Sequence, residues 1–191
     1  VKIGVLGLQG DVREHMACIA SVGATPVVVK RLDELDAVDA LILPGGESTT
    51  IGKLLDRFGL LEPLTERAQQ GMPLYGTCAG LILMAREVTG TEDAPHRLAV
   101  MDVVVRRNAY GRQVDSFEAD IEVTGIDGPV AAAFIRAPII EGAGPDVEVL
   151  ATCEERPVLV RQGRLLASSF HPEMMGDDRV HGLFLAMIEG A

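Results

Sequence analysis

Pro73-Leu74-Tyr75-Gly76-Thr77-Cys78-Ala79-Gly80-Leu81 sets one cysteine between glycines where a short apolar run gives way to an apolar helical pattern. This is the G-x-C-x-G form of a nucleophile elbow, a strand-to-helix turn so tight that the flanking residues must be small. A sulfur at such a turn lies by the helix N-terminus, where unpaired N–H groups and the helix dipole favour the thiolate. A small buried cysteine in a glycine-rich turn would look the same in isolation. What separates the two is His171-Pro172-Glu173, which follows Cys78 by 93 residues. An imidazole and a carboxylate two residues apart are the base and the orienter that a thiol nucleophile needs.

Outward from this turn, the first half of the chain alternates short apolar runs with helical patterns. The run 2–8 is followed by a helical pattern from Asp11 to about Val22, with Asp11 as N-cap and Glu14 as its capping-box partner. Thr25–Val29 and Ala40–Leu43 are further strands, the latter cut off by Pro44-Gly45-Gly46. Helices over about 48–57 and 60–70 then lead to the strand at Leu74-Tyr75. This order predicts βαβ units and a parallel sheet. Past residue 90 the texture changes to strand-like runs at 100–105, 116–123, 132–135, 147–153, 158–161 and 165–168, joined by Gly, Asp and Pro turns. These predict added antiparallel strands, with 91–97 and 142–146 as loops and a last helix over about 179–188. The expected fold is therefore α/β, a single domain over 1–191 with a mixed, mostly parallel sheet flanked by helices.

Composition narrows the class. Of 191 residues 48% are hydrophobic but only 4% aromatic, so the core must be aliphatic, as covered parallel sheets tend to be. No apolar run approaches the roughly 20 residues of a membrane span, and residues 1–8 read as a strand rather than a secretion signal. A net charge of −11 without any basic stretch argues against nucleic acid. The three cysteines, Cys18, Cys78 and Cys153, form no CxxC pair and cannot all be bridged, which fits a reducing, cytoplasmic compartment. Cys18 on an amphipathic helix and Cys153 at a strand end read as inert packing residues.

His171 ends the run Leu165-Leu166-Ala167-Ser168-Ser169-Phe170 and should stand at the C-terminal edge of a strand, where open α/β sheets carry their sites. Pro172 holds His171 extended, and Glu173 can bond one ring nitrogen while the other faces sulfur. His15 and His181 lie on helical patterns and read as structural or surface groups; His96 lies in a loop. Pro44-Gly45-Gly46-Glu47-Ser48 also ends a strand and opens a helix. Its paired glycines let the backbone approach a ligand and offer an N–H to a developing oxyanion, with the Ala79 amide as the second donor.

Gly76-Thr77-Cys78-Ala79-Gly80 with His171-Pro172-Glu173 resembles the class I, triad-type glutamine amidotransferases, whose fold is a flavodoxin-like three-layer α/β arrangement. Within that class the chain is similar, throughout its length, to the glutaminase subunits of pyridoxal 5′-phosphate synthase. That likeness rests on Gly7-Leu8-Gln9-Gly10, Pro44-Gly45-Gly46-Glu47-Ser48-Thr49-Thr50, residues 107–117 (RNAYGRQVDSF) and Phe134-Ile135-Arg136-Ala137-Pro138. The resemblance implies Cys78 as nucleophile, His171 as base and then acid, and Glu173 as orienter. It implies a glutamine pocket of Gly46, Glu47, Ser48, Arg107, Ile135 and Arg136, with Gln9 near the oxyanion hole and the partner face. It further implies L-glutamine as substrate, no metal or cofactor, and ammonia passed to a separate (β/α)8 synthase subunit in a hetero-oligomer. One departure is Met174-Met175-Gly176 after the His-Pro-Glu, where the family often has a Leu-Thr continuation.

Two other readings stay open on the residues alone. A related cysteine hydrolase or peptidase could share the sheet and the elbow, but such sites usually lack the late His-x-Glu and the Pro-Gly-Gly-Glu-Ser turn. A catalytically silent module that only stabilises a synthase would have no need of Cys78, His171 and Glu173 together.

Overall fold

A computed structural model describes residues 1–90, 94, 96–107 and 116–190. The chain runs β1 (Lys2–Leu6), α1 (Val12–Ser21), β2 (Thr25–Val29), α2 (Leu32–Asp36), β3 (Ala40–Leu43), α3 (Ser48–Arg57), α4 (Leu61–Gln69), β4 (Leu74–Thr77) and α5 (Ala79–Met84). It continues through β5 (Ala85–Thr89), β6 (Met101–Arg106), β7 (Phe117–Ile121), β8 (Val130–Phe134), β9 (Ile139–Ala143), β10 (Glu148–Cys153), β11 (Arg156–Gln162) and β12 (Leu165–Ser168). A 3-10 turn at Glu173–Met175 and α6 (Arg179–Glu189) complete it.

Seven strands form the main sheet in the order β10-β11-β12-β4-β3-β1-β2. The five from β12 to β2 are parallel, and β11 and β10 extend one edge antiparallel. The mixed, mostly parallel sheet expected from the sequence is thus present. Its central strands are buried on both faces, which is why β3 reads as an unbroken Ala-Leu-Ile-Leu run with every residue inaccessible. Side chains alternate across the sheet. Ile3, Val5, Ala40, Ile42, Tyr75 and Leu166 point into one core with Ile19 of α1 and Val180 and Phe184 of α6. Leu6, Leu41, Leu43, Leu74 and Leu165 point into the other with α3, α4 and α5. Three layers result, helices covering both faces of one sheet. Each fully buried Leu or Ile here contributes about 1.5–3 kcal/mol relative to exposure.

Two smaller units sit against this frame: a three-stranded sheet β5-β6-β9 and the antiparallel pair β7-β8. The sequence reading did not anticipate α2, β5 or β9. The first is a five-residue turn of helix, too short for a periodic pattern. The other two are edge strands with polar residues such as Arg86, Glu87 and Glu141. The loop expected over 142–146 is shortened accordingly, because β9 extends to Ala143 and pairs with β6. The first strand stops at Leu6, not residue 8. The capping box expected at Asp11 does not form: Asp11 stands at the N-cap of α1 but its side chain caps nothing. That carboxylate is drawn instead toward His171, 3.5 Å from Nδ1. Among the described residues no helix is long and apolar enough to cross a membrane.

Candidate active site

Four adjacent parallel strands, β12, β4, β3 and β1, release their chains at the same edge of the sheet. Register aligns Leu43 with Gly76 and Ser168 with Thr77, so the segments after β3, β4 and β12 leave side by side. These carry Gly45-Gly46, Cys78 and His171; Gln9 follows β1. This is the C-terminal edge at which open α/β sheets assemble their sites.

The elbow is strained as its sequence requires. Cys78 has φ +49° and ψ −97°, a left-handed backbone that a non-glycine residue adopts only where its surroundings enforce it. Enforcement is visible in two bonds: the Cys78 amide donates to the Ser168 carbonyl at 2.8 Å, and the Cys78 carbonyl accepts from Ile82 at 3.2 Å. Gly80 lies against the backbone of Leu43, whose carbonyl oxygen any Cβ at position 80 would overlap. The Ala79 amide is among the N–H groups that a helix start leaves without an intrahelical partner.

His171 is pinned by its backbone, which exchanges two hydrogen bonds with Ala133 of β8 (2.8 and 3.3 Å). Its Nδ1 lies 2.7 Å from Glu173 Oε1, with the Glu173 side chain fully buried. Burial alone would lower the His171 pKa, but interactions with Cys78 and Glu173 outweigh it and raise it to about 10. Both interactions favour the protonated ring. Burial raises the Glu173 pKa, and the bond to His171 opposes that shift. Asp11, His171 and Glu173 present donor atoms within 4.8 Å of one another, a spacing that could hold a cation. Nδ1 is already engaged by Glu173, and a metal would have to displace that bond.

The glycine turn reaches the same place. A Cβ on Gly45 would overlap the His171 ring, so only glycine fits there. The Gly45 carbonyl accepts from the Asp11 amide at 3.2 Å, and across this trans peptide the Gly46 N–H points the opposite way. Gln9 fixes the next residue, its Oε1 accepting from the Glu47 amide at 2.9 Å. Glu47 caps α3 by accepting from the amides of Thr49 and Thr50 at 3.1 and 2.8 Å. Burial pushes its pKa up, but those bonds, the Thr50 hydroxyl and Arg107 prevail and hold it at about 2.

Gly46, Glu47, Ser48, Cys78, Ile82, Arg107, Ile135 and Arg136 line one cavity of about 100 Å³. All six residues expected to bind substrate are among them, on the β3–α3 turn, after β6 and after β8. Arg107 is not simply a surface charge: its guanidinium bonds Glu47 at 2.5 Å and Thr49 Oγ1 at 2.6 Å. Residues 108–115 of the quoted 107–117 motif lie outside the described residues.

Sequence reasoning did not place three neighbours of His171 and Glu173 beside them. Asp11 bridges the glycine turn and His171 with its amide and carboxylate. His15 and His181, read as structural or surface groups, are both buried and 2.9 Å apart, with His15 Nε2 3.5 Å from Glu173 Oε1. A signal existed for His15, since it falls on the buried stripe of α1 with Cys18 and Ile19.

Comparison with known proteins identifies the family. Residues 5–190 match the SNO glutamine amidotransferase family. The chain is 58% identical to the pyridoxal 5′-phosphate synthase subunit PdxT of Mycolicibacterium vanbaalenii, over 98% of this chain and 97% of that one. It is 57% identical to the PdxT of Frankia alni, over 100% and 96%. A crystal structure of a glutamine amidotransferase superposes with a TM-score of 0.91 at 48% identity, covering 98% of each chain. The structure of PurLQS from Thermotoga maritima, 18% identical over 98% of this chain and 97% of that one, shares the fold with a TM-score of 0.65. The elbow, the glycine turn and the near-complete match to one family lead to a single conclusion: the chain belongs to the SNO glutamine amidotransferase family.

Proposed function

We propose that this chain hydrolyses L-glutamine to glutamate and ammonia through Cys78, His171 and Glu173, and supplies the ammonia to a separate subunit that builds pyridoxal 5′-phosphate. The observation that carries the reading is the convergence of a strained cysteine, a buried His–Glu pair and a glycine turn beside one polar cavity. Family membership supports the substrate, and the name borne by the relatives supports the assembly. Residues 1–191 act as one glutaminase domain in this reading, consistent with a family match over 5–190.

The Cys78 thiolate attacks the side-chain amide carbon of glutamine, and the carbonyl electrons move onto oxygen. The amides of Gly46 and Ala79 are the donors for that oxyanion. His171, whose protonated form Cys78 and Glu173 favour, gives a proton to the departing nitrogen as the C–N bond breaks, leaving a glutamyl thioester and ammonia. His171 then takes a proton from water, whose oxygen attacks the thioester; the C–S bond breaks and glutamate leaves. Glu173 keeps the imidazole oriented throughout. No step calls on a metal or an organic cofactor.

Substrate orientation follows from charge. Glu47, ionised over the whole physiological range, suits the α-ammonium of glutamine, and Arg107 and Arg136 suit its α-carboxylate. Ile135 supplies an apolar wall, and Ser48 a hydroxyl. The orientation of the Gly45–Gly46 peptide hangs on one 3.2 Å bond from Asp11, next to Gln9. We assign to this peptide the step that depends on the partner, a (β/α)8 synthase subunit in a hetero-oligomer. A free thiol at Cys78 is needed for the chemistry, which suits the cytoplasm.

The test is glutamate release from glutamine by the chain alone and after mixing with its synthase partner. Activity that is low alone, rises on mixing and vanishes in Cys78→Ala is the expected result. Turnover surviving Cys78→Ala refutes the triad, and full activity without a partner refutes the gating.

A further inference from the structure

The site described above leaves a buried group of titratable side chains unused. Next to Glu173, His15 of α1 and His181 of α6 meet in the core at 0% and 1% exposure, and His15 approaches the same carboxylate oxygen, Oε1, that His171 holds. His15 Nδ1 lies 2.9 Å from His181 Nε2; His15 Nε2 lies 3.1 Å from Thr77 Oγ1 and 3.5 Å from Glu173 Oε1. Tyr75 packs edge-on against both rings. Among the described residues His181 Nδ1 is buried without a hydrogen-bond partner, and so is Glu173 Oε2.

We propose that His15, fixed by His181, is a positioning residue for the triad, whose Nε2–H keeps Glu173 a hydrogen-bond acceptor toward His171. The inference rests on the triad reading and deepens it. Two tautomeric arrangements satisfy the His15–His181 bond. In one, His181 Nε2–H donates to His15 Nδ1, and His15 Nε2–H points at Thr77 and Glu173. Nδ1 of His181 is then a bare lone pair. In the other, every proton moves across: His181 Nδ1 becomes an N–H with nothing among the described residues to receive it, and the His15 Nε2 lone pair, which the Thr77 hydroxyl can satisfy, faces a carboxylate. Buried orphan N–H groups are rare, whereas an under-satisfied acceptor costs less. Repulsion between the lone pair and Glu173 adds to the same preference. The first arrangement is selected: His181 donates to His15, whose Nε2–H goes to Thr77 Oγ1 at 3.1 Å and lies 3.5 Å from Glu173 Oε1, close enough to act on the carboxylate as an oriented dipole.

This direction matters for catalysis. A buried carboxylate relieves its desolvation by taking up a proton. A protonated Glu173 would donate to His171 Nδ1, forcing the tautomer with hydrogen on Nε2, which cannot receive the Cys78 proton. A neutral donor at His15 favours the ionised carboxylate without adding a charge that would compete with His171. The charged and titratable groups facing this pair are Glu173 and His171 near His15, Tyr75 of β4, Cys18 of α1, and Asp177 and Asp178 ahead of α6.

The test compares His15→Leu, His15→Gln and His181→Phe in the glutaminase–synthase complex, with kcat and KM followed from pH 5 to 10. Leu removes the donor, while the amide nitrogen of Gln restores it at the position of Nε2. For His15→Leu we expect kcat about 10-fold or more below wild type, KM within about 2-fold, and the acid limb moved up by about one pH unit. His15→Gln should recover most of kcat and return the limb, and His181→Phe should move it in the same direction as His15→Leu. Equal impairment of the Leu and Gln variants, or an acid limb unmoved in both His15→Leu and His181→Phe, would reduce the pair to packing. Nitrogen-15 NMR of the wild-type chain gives a readout that no folding defect can confuse: hydrogen on Nε2 of His15 is required, and hydrogen on Nδ1 overturns the proposal. Failure of the triad itself would show separately, as activity surviving Cys78→Ala.

Discussion

Replacing Glu173 by Gln changes one oxygen to an NH2 group and isolates the role of charge and direction at the orienter. Glu173 Oε1 accepts from His171 Nδ1 at 2.7 Å, while Oε2 is buried with no partner among the described residues. A Gln amide could keep its oxygen toward His171, but its NH2 would then be an orphan donor in the Oε2 position, at a cost of about 1–3 kcal/mol. Turning over lets the NH2 donate to His171 Nδ1, which satisfies it but fixes the imidazole with hydrogen on Nε2. That tautomer cannot accept the Cys78 proton. Loss of the charge-assisted bond removes about 1–2 kcal/mol more of imidazolium stabilisation. Together these make about 2–5 kcal/mol, a fall in kcat of between about 30-fold and about 5,000-fold. Stability should hardly suffer, because the buried carboxylate, with its pKa raised by desolvation, gives way to a neutral group of the same shape. Glutamate release by the complex, set beside a thermal melt of the same variant, separates the two effects. A kcat within a few-fold of wild type would refute the reasoning, as would a loss of melting temperature large enough to explain the drop.

Two further outcomes follow from the site's electrostatics. Arg107→Ala releases Glu47 from a half-exposed ion pair, and KM for glutamine should rise about 5–10-fold with kcat within about 2-fold of wild type; an equal fall in kcat at unchanged KM would place Arg107 in the chemical step instead. Burial lowers the pKa of His181 to about 4 and that of His15 well below its usual value. Both therefore stabilise the fold above the unfolded-state value near 6.5, and that contribution is lost as pH falls from there toward 4. His171, raised to about 10, works in the opposite sense, its contribution complete below about 6.5 and lost as pH rises through about 10. Thermal midpoints measured from pH 8 down to pH 4 should decline below about 6.5, and by less in His181→Gln; a wild-type profile flat across that window would contradict the neutral buried pair.

Much of this was legible because the relevant signals are local. The elbow needs small neighbours around Cys78, the strand at 40–43 needs an unbroken apolar run, and His-x-Glu needs only its own spacing; each survives in the order of residues. The helices Ser48–Arg57 and Arg179–Glu189 fall where periodicity and turn residues put them, within a residue. β5 and β9 were invisible because edge strands carry polar side chains and little alternation. Asp11 was misread because helix capping is a local rule, and a histidine 160 residues away won the competition for its carboxylate.

Sequence by itself determined the chemical groups on offer: a thiol at a helix start, an imidazole beside a carboxylate, and a glycine pair that lets backbone approach a ligand. Only the tertiary structure decided that these meet. The order β12-β4-β3-β1 brings segments from four distant parts of the chain to one sheet edge, and hydrogen-bond pairing between strands far apart in sequence leaves no periodic trace in any one of them. The same holds for the pair beside the triad. His15 and His181 stand on different helices, 166 residues apart, and share a pocket only because both helices cover the same face of the sheet and bury their apolar stripes together.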